Sequence, residues 1–466
     1  MASWIDQELA ACKFSDPRLS KRFRTLLERL SEAIGESIPM ACQDWSSTKA
    51  AYRFFSNERF TEEEILAGHI GATRDRFQAS EGMNLVLHDT TEFSFQREKG
   101  GLGLTRKSFK KGTKGLPEIY TKQGILMHSS LVVTTGGVPL GISAIKFWTR
   151  KKFKGANKLK RKINPARVPI GKKESIRWIE NLKRSTTLLG EPGRCVHVGD
   201  RENDIYEFFC MAKEIGTHFI IRACNDRLAE DGSVRLFREM AKGPIKGLRR
   251  IEVRNKKGEL SDAVLEIRYR RIQLRPPIGK HKEYPPLTLT VVFAQERGAP
   301  KGREKIDWKL ITDLPVDSRN RAIEKLEWYA LRWKIETFHK ILKSGCKTEE
   351  SKLRTANRLT RLIGVFCILS WRIFWLTMMA RDAPEASPKL AFTTTEIQIL
   401  DYIVKDKPKK KWKRSMSKYL TKLARLGGYL ARANDPPPGN KVIWRGLTRL
   451  TDIELGVMIG AKLVGN

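Results

Sequence analysis

The segment 362–380, LIGVFCILSWRIFWLTMMA, is the feature that most restricts how this chain can fold. An apolar run of this length can cross a bilayer or form the central helix of a large core. Arg372 lies near its centre, and a charged side chain there is costly in lipid. The sequence contains no second run of this kind. We therefore predict a buried core helix in which Arg372 is paired or reaches a rim.

The composition is compatible with a core of that size. The chain has 466 residues, enough for about two to four domains, and 40% of them are apolar. Its 89 Lys and Arg against 52 Asp and Glu give a net charge of +37. This charge indicates a polyanionic partner, with nucleic acid the first candidate and an anionic membrane the second. Seven cysteines without a CxxC pair argue against a disulfide framework or cysteine zinc site and favour a reducing cytoplasm.

Residues 1–70 have a helical pattern. Asp16 and Pro17 suit the N-cap and first position of a helix whose apolar residues recur at helical spacing. Thr61, followed by three glutamates, suits the start of another helix. The first helix also has a basic face, formed by Arg18, Lys21, Arg22, Arg24 and Arg29. We predict a small helical domain with a basic face.

The pattern then becomes α/β. Strands are predicted at 83–95, 124–135, 138–148, 194–200 and 218–223, with helices at 172–189 and between the last two strands. Gly136-Gly137 indicates a hairpin between the second and third strands. A β-rich meander is expected at about 226–312 and a helical region at 390–466. Two strongly basic segments, at 150–163 and 405–414, interrupt this pattern.

Two aspartates lie at predicted strand ends, where α/β sheets form their sites. Asp89 lies in or just after the first strand of the core, and Asp200 ends the strand at 194–200. Two carboxylates without histidine or cysteine partners form an oxygen-only site, which Mg²⁺ or Mn²⁺ prefers. Each aspartate alone is also explained as an ordinary cap or turn residue.

The segment 329–343, YALRWKIETFHKILK, predicts an amphipathic helix with a single acidic residue. At 100° per residue, Tyr329, Arg332, Glu336 and Lys343 lie within about 60° of one another, opposite the apolar residues. A solvated helix face with an Arg332–Glu336 ion pair has the same pattern. The geometry alone leaves both interpretations open.

These residues resemble a known family, the DDE transposases of bacterial insertion sequences. The resemblance is carried by HDTT at Asp89, GDREND at Asp200 and Y-x2-R-x3-E-x6-K from Tyr329 to Lys343. The last motif is similar to the YREK signature of the cut-and-paste branch, which includes the transposase of a composite antibiotic-resistance transposon. Six further segments have counterparts in the same order: AYRFFSN, QGILMHSSL, KKESIRW, ITDLPVDS, FHKILKSGCKTEE and LARLGGYL.

The resemblance implies an RNase H-like catalytic core at 71–380, interrupted by the β-rich insertion at about 226–312. It also implies a helical N-terminal DNA-binding domain at 1–70 and a helical C-terminal region at 381–466 for dimerisation. The implied activity is cut-and-paste transposition by hydrolysis at transposon ends, hairpin formation and strand transfer. The implied partners are double-stranded DNA, at transposon ends and target, and a second copy of the chain in a synaptic homodimer.

The resemblance also assigns roles to residues. Asp89, Asp200 and Glu336 would bind two Mg²⁺ ions, which Mn²⁺ can replace. Tyr329, Arg332 and Lys343 would position DNA phosphates, and Arg222 matches another phosphate-binding residue. Trp308 matches a tryptophan that stacks on a flipped base; packing in the β-rich region explains it equally well.

Three alternatives stay open at this stage. One is an RNase H-like nuclease that cuts without strand transfer, and another is a catalytically silent DNA-binding regulator. The third is a membrane-surface protein, based on the net charge and the apolar segment. The main interpretation predicts a cytoplasmic, nucleoid-associated bacterial protein with no membrane contact.

Overall fold

The computed structural model describes residues 4–95, 102–111, 117–150, 168–254, 260–300, 302–405, 414–433 and 435–464. The two basic segments singled out in the sequence, 150–163 and 405–414, lie outside these ranges except at Arg150, Lys405 and Arg414.

The chain begins with five helices. They are α1 Trp4–Leu9, α2 Pro17–Glu32, α3 Ile38–Cys42, α4 Trp45–Phe55 and α5 Glu62–Gln78. The predicted caps are confirmed: Asp16 accepts a hydrogen bond from the Arg18 amide, and Thr61 forms a capping box with Glu64. These contacts supply partners for amide groups that a helix start leaves without one.

The buried carboxylate of Glu8 connects α1 to other helices through hydrogen bonds and an ion pair. Glu8 accepts hydrogen bonds from Arg76 of α5 and from the indole of Trp371, and its other oxygen pairs with His69. Burial alone would raise the pKa of Glu8, but His69 and Arg76 outweigh it and lower this pKa to about 2. The helical start of the chain is therefore part of the main body.

Twelve strands form one mixed sheet within the described residues. They are β1 Asn84–Ser94, β2 Leu104–Lys111, β3 Pro117–Thr134, β4 Pro139–Trp148, β5 Cys195–Gly199, β6 His218–Arg222, β7 Leu228–Ala229, β8 Val234–Arg235, β9 Gly247–Arg254, β10 Leu260–Leu274, β11 Leu287–Glu296 and β12 Asp307–Thr312. The predicted hairpin is confirmed, because β3 and β4 pair antiparallel across Gly136-Gly137. Gly137 has a φ of 92°, which a glycine adopts without strain.

The centre of the sheet combines antiparallel and parallel pairs. Its order runs β3-β1-β5-β6-β12-β11-β10, with β4 beside β3. β1 pairs antiparallel with β3 but parallel with β5, and β5 pairs parallel with β6. The strands of the predicted meander continue this same sheet, since β12 pairs with β6. The carboxyl ends of β1, β5 and β6 consequently meet at one edge.

Helices cover both faces of the sheet. They are α6 Ile176–Leu189, α7 Tyr206–Ile215, α8 Leu236–Lys242, α9 Arg319–Ala330, α10 Trp333–Lys340 and α11 Ala356–Asp382. One face packs against α6, α7 and α8 through a core that includes Trp178 and Phe208. The other packs against α9, α10 and α11 in a larger core that also contains the N-terminal helices. Below, we call these the α6 face and the α11 face.

The apolar segment is the core helix that the sequence predicts. α11 is long and apolar enough to cross a membrane by length and composition, but 94% of its most apolar window is buried inside the protein. Arg372 donates to the Ala391 carbonyl oxygen, and its guanidinium lies over the rings of Trp4 and Trp375. Arg372 is thus paired as expected, and the length of α11 is explained by its place in the core.

Three helices complete the chain: α12 Thr394–Ile403, α13 Met416–Leu426 and α14 Asn440–Val464. Trp444 of α14 donates to the Ile34 carbonyl oxygen and packs against Gly345, where a Cβ would lie 1.7 Å from the indole. Any side chain at position 345 would collide with the indole, so glycine is required there. Through Trp444, the C-terminal helix contacts both the N-terminal helices and the π-helical turn that contains Lys343.

The continuous helix predicted over 329–343 is wrong. α9 ends at Ala330, and α10 begins at Trp333 after a turn in which amides bond to carbonyl oxygens three residues back. A π-helical turn, Ile341–Gly345, then follows α10. A rotation of 100° per residue holds only within a regular α-helix, so it does not apply across these two turns. Tyr329 is consequently buried and does not lie on the exposed face that carries Glu336.

Candidate active site

The sheet register places Asp89 beside Asp200. The parallel pairing of β1 with β5 ends at Leu87 and Val198. Two residues further along each strand come Asp89 and Asp200, and neighbouring strands lie about 4.8 Å apart. Asp200 is the N-cap of a short 3₁₀ turn, where its Oδ1 accepts the Glu202 amide at 2.9 Å. Asp200 therefore fits the ordinary cap interpretation and also lies at the shared sheet edge.

Arg332 connects Asp89 to Glu336. Arg332 lies in the turn before α10, and its Nη2 forms an ion pair with Glu336 Oε1 one helical turn later. Its Nη1 is 3.7 Å from Asp89 Oδ1. The side chain of Glu336 is 53% exposed, whereas that of Asp89 is 19% exposed. The turn that breaks the predicted helix is thus what brings a guanidinium between these two carboxylates.

The surroundings of the two aspartates shift their pKa values in opposite directions. Burial raises the pKa of Asp200, and the nearby charge of Asp89 raises it further. Burial also acts to raise the pKa of Asp89, but a hydrogen bond from His339 and the charge of Arg332 outweigh it and lower this pKa. Arg332 and Arg177 act to lower the pKa of Asp200 but do not outweigh its burial, whereas the groups around Asp89 do outweigh burial.

The carboxylates suit a hard divalent cation in donor type but do not form a finished ligand set. Across the described ranges, no three His, Cys, Asp or Glu side chains lie close enough to hold a metal ion as they stand. Asp89 and Glu336 instead share the positive charge of Arg332. A cation that bound the oxygens of both would need this guanidinium to move aside.

A second group of residues lies on the same side of the site. Trp308 of β12 packs edge-on against Tyr329, with ring centroids 5.4 Å apart. Burial raises the pKa of Tyr329, against the effect of Arg332 and of a hydrogen bond with Arg222. Arg222 ends β6 and donates from Nη2 to the Asp307 carbonyl oxygen at 3.0 Å. The structure thus brings together three of the residues to which the resemblance assigns a DNA contact: Arg222, Trp308 and Tyr329.

In the part of the chain that the structure describes, two guanidinium groups here each have a buried nitrogen that makes no hydrogen bond, although Arg332 Nη1 lies 3.7 Å from Asp89 Oδ1. Among the described residues, Arg222 Nε and Arg332 Nη1 have no hydrogen-bond partner. A buried donor without an acceptor is costly, and a phosphate oxygen is a suitable acceptor for arginine. These donors lie close to the aromatic pair of Trp308 and Tyr329.

Lys343 occupies a different position from the one its spacing predicts. It lies in the π-helical turn, with Nζ 5.7 Å from the Phe93 ring centroid on β1. There it lines a cleft of about 920 Å³ between the N-terminal helices and residues 343–353. Lys347 and Lys352 line this cleft as well, with Tyr52 of α4 on the opposite wall. Lys343 thus lines this cleft together with two other lysines.

Sequence reasoning missed two side chains, His339 and Arg177, that lie against Asp89 or against residues close to Asp89 and Asp200. His339 is buried between Asp89 and Ser129, with its Nδ1 3.5 Å from Asp89 Oδ2. Arg177 donates to Thr90 Oγ1 at 3.1 Å and to Glu202 Oε2 at 2.6 Å, so it connects the residues next to both aspartates. The spacing of His339 three residues after Glu336 is a signal of a shared helix face that could have found it.

The two ends of the chain present different surfaces. In α2, Arg24 and Arg29 of the predicted basic face are used in internal ion pairs with Asp6 and Asp44, and Arg18, Lys21 and Arg22 remain exposed. α14 ends instead in exposed apolar side chains: Leu455, Val457, Met458, Ile459 and Leu463. A basic face suits a nucleic acid, and an apolar face of this kind suits a protein partner.

Comparison with protein families matches these two ends. A model described as transposase DNA-binding matches residues 1–60. A model described as transposase Tn5 dimerisation domain matches residues 368–462. Together they support a Tn5-like transposase that binds DNA and forms homodimers.

The matched regions agree with the surfaces at the two ends of the chain. Residues 1–60 contain the exposed cations of α2, and residues 368–462 contain most of the exposed apolar side chains of α14. The matches also imply an enzyme that cuts or transfers DNA. The carboxylates lie between the two matched regions in the chain.

Proposed function

We propose that this protein is a DDE transposase that cuts DNA at transposon ends and joins the freed ends to a target. Asp89, Asp200 and Glu336 are the acidic triad of this proposal. The observation that supports it best is the register that sets Asp89 beside Asp200, together with the guanidinium that Asp89 shares with Glu336. The order β4-β3-β1-β5-β6 also supports an RNase H-like core, which β7 to β12 would extend as an insertion.

The triad would hold two Mg²⁺ ions, or Mn²⁺ in their place, through oxygen donors only. Bound there, the ions would lower the pKa of the attacking water or hydroxyl and stabilise the leaving oxygen of the phosphodiester. Arg332 would release the carboxylates and pair with the phosphate whose charge it then offsets. One set of carboxylates can serve cleavage, hairpin formation and strand transfer, because each is an in-line displacement at phosphorus.

The aromatic and basic neighbours would hold the DNA end. Arg222 and Tyr329 would take a phosphate beside the triad, since Arg222 Nε has no hydrogen-bond partner among the described residues. Trp308 is partly exposed, so a base turned out of the helix could stack on its free edge and face. Lys343 would contact the strand in the adjoining cleft.

The test is cleavage of DNA that carries the element's own flanking ends, in Mg²⁺, with wild type, Asp89→Asn and Glu336→Gln. We expect both variants to lose at least about 10³-fold in cleavage and to keep their affinity for the ends. Glu283→Gln makes the same chemical change at an exposed residue that is not part of the proposed triad, so it is the matched control and should cleave at the wild-type rate.

Scoring strand transfer separately from nicking distinguishes a transposase from a nuclease that only cuts. Equal cleavage by wild type and Glu336→Gln would refute the triad. Cleavage without any joined product would leave a nuclease as the correct function.

A further inference from the structure

His339 lies at the contact between the strand that carries Asp89 and the helix that carries Glu336. It is 5% exposed, and it is the last of the seven histidines in a sequence that gives none of them a metal-ligand spacing. Its Nδ1 is 3.5 Å from Asp89 Oδ2, and its Nε2 is 2.7 Å from Ser129 Oγ. Asp89 and Ser129 are themselves direct partners across β1 and β3.

These contacts fix the role of each ring nitrogen. An ionised carboxylate only accepts hydrogen bonds, so the proton facing Asp89 is on Nδ1. Nε2 then accepts from the hydroxyl of Ser129, which has a proton to donate. Both nitrogens are occupied within the protein, so His339 is placed to orient a neighbour and has no free nitrogen to exchange protons with a substrate.

The position of His339 on α10 connects this contact to Glu336. Residues three apart lie on the same side of a helix, and Glu336 precedes His339 by three. α10 is only eight residues long, between an irregular turn and a π-helical turn. A short helix of this kind depends on its packing for its position. The contact of His339 with β1 therefore also sets where Glu336 lies relative to Asp89.

We propose that His339 is a positioning residue that holds the Asp89 carboxylate and α10 in the arrangement a divalent cation needs. This inference rests on the proposed function, because it takes Asp89 and Glu336 as ligands. Groups that hydrogen-bond to metal ligands typically change metal affinity by about 10–100-fold when they are removed.

Two substitutions separate the contacts of the two nitrogens. In His339→Asn the side-chain amide can replace Nδ1–H and still donate to Asp89, but it does not reach Ser129. In His339→Gln the longer side chain can accept from Ser129, but its geometry does not serve Asp89. Phe338→Leu, at the fully buried neighbouring position, is the control for a change in packing alone.

The measurement is Mn²⁺ binding to the full-length protein without DNA, by electron paramagnetic resonance or calorimetry, with cleavage in Mn²⁺ as a second readout. We expect His339→Gln to weaken Mn²⁺ binding about 10–100-fold and His339→Asn to recover most of that loss. Phe338→Leu should lower the melting temperature without changing Mn²⁺ affinity. Wild-type Mn²⁺ affinity in His339→Gln, or equal losses in both His339 variants, would overturn the proposal.

Glu336→Gln in the same binding experiment separates this inference from the proposed function. If Glu336→Gln binds Mn²⁺ as well as wild type, the triad itself is wrong. If Glu336→Gln loses Mn²⁺ and His339→Gln keeps it, the triad stands and only the role of His339 fails. Should either His339 variant fail to fold, Ser129→Ala tests the contact between Ser129 and His339 Nε2. This change leaves His339 in place but no longer fixes its tautomer, so we expect a smaller loss of Mn²⁺ affinity than in His339→Gln.

Discussion

Two histidine–serine pairs on opposite faces of β1 and β3 have the same chemistry but different surroundings. On the α6 face, His88 is hydrogen-bonded to Ser130 at 2.9 Å and to His197 at 2.8 Å. On the α11 face, His339 is hydrogen-bonded to Ser129 and lies against Asp89. The serines are neighbours in one strand, and alternation of side chains sends them to opposite faces.

The difference lies in what each histidine contacts besides its serine. Burial lowers the pKa of His88 and of His197 well below the ordinary value, so both are neutral in a core that excludes solvent. His339 contacts a carboxylate that is itself next to a guanidinium. Similar hydrogen bonds therefore stabilise the fold on one face and orient charged groups on the other.

Replacing His88 by alanine should have the largest effect on stability. The change removes a fully buried ring and takes one hydrogen bond away from each of Ser130 and His197. We expect unfolding in urea to become easier by about 2–4 kcal/mol. Cleavage by the folded fraction should stay within about twofold of wild type, because the site lies on the other face.

The matched comparison is His339→Gln, which should lose less stability than His88→Ala and more Mn²⁺ affinity. If His88→Ala weakens Mn²⁺ binding as much as His339→Gln does, the two faces are not independent. The separation of structural from functional pairs would then be wrong.

Arg332→Gln should separate metal binding from catalysis. Removing the guanidinium leaves the Asp89 and Glu336 carboxylates without their shared positive charge, so Mn²⁺ binding without DNA should become a few-fold tighter. Cleavage should nevertheless fall roughly 10²-fold, because the same group is expected to offset charge on the phosphate. Calorimetric titration with Mn²⁺ and the end-cleavage assay measure the two effects.

Arg332→Lys serves as the control. Lysine keeps the positive charge but lacks the planar guanidinium whose two Nη atoms contact Asp89 and Glu336. Weaker Mn²⁺ binding in Arg332→Gln would show that the guanidinium supports the ligand set instead of competing with the metal.

The sequence predicts more of the sheet than of the helices around the site. The strand containing Asp89, the strand before Asp200 and the Gly136-Gly137 hairpin all follow from local patterns, and the structure confirms these elements. The burial of α11 also follows, because an arginine within an apolar run favours a core over lipid. Local preference and tertiary packing agree in these elements.

The segment 329–343 shows where such reasoning stops. Its spacing fits one regular helix, but the chain forms a tight turn before Trp333 and a π-helical turn after Lys340. Residues distant in the chain pack beside both irregular turns: Trp308 contacts Tyr329, and Trp444 contacts Gly345. His339 shows the same limit, because its partner Ser129 is 210 residues away in the chain.

The two aspartates should give small stability effects of opposite sign. The pKa of Asp200 is raised by burial, so its charged form costs stability as the pH rises above the ordinary aspartate value of 3.8. The pKa of Asp89 is lowered, so its charged form adds stability above that pH and loses it as the pH falls. In metal-free buffer at pH 7, Asp200→Asn should therefore raise the urea midpoint, and Asp89→Asn should lower it.

Both differences should shrink as the pH falls: the Asp200 effect as the buffer approaches the ordinary value of 3.8, and the Asp89 effect only below it. Asparagine is the appropriate replacement at position 200, because it can still accept the Glu202 amide as an N-cap. Shifts of the same sign at pH 7 would contradict the unequal sharing of positive charge between the two acids. Opposite signs would show that Arg332 and His339 stabilise Asp89 and leave Asp200 as the carboxylate most in need of a cation.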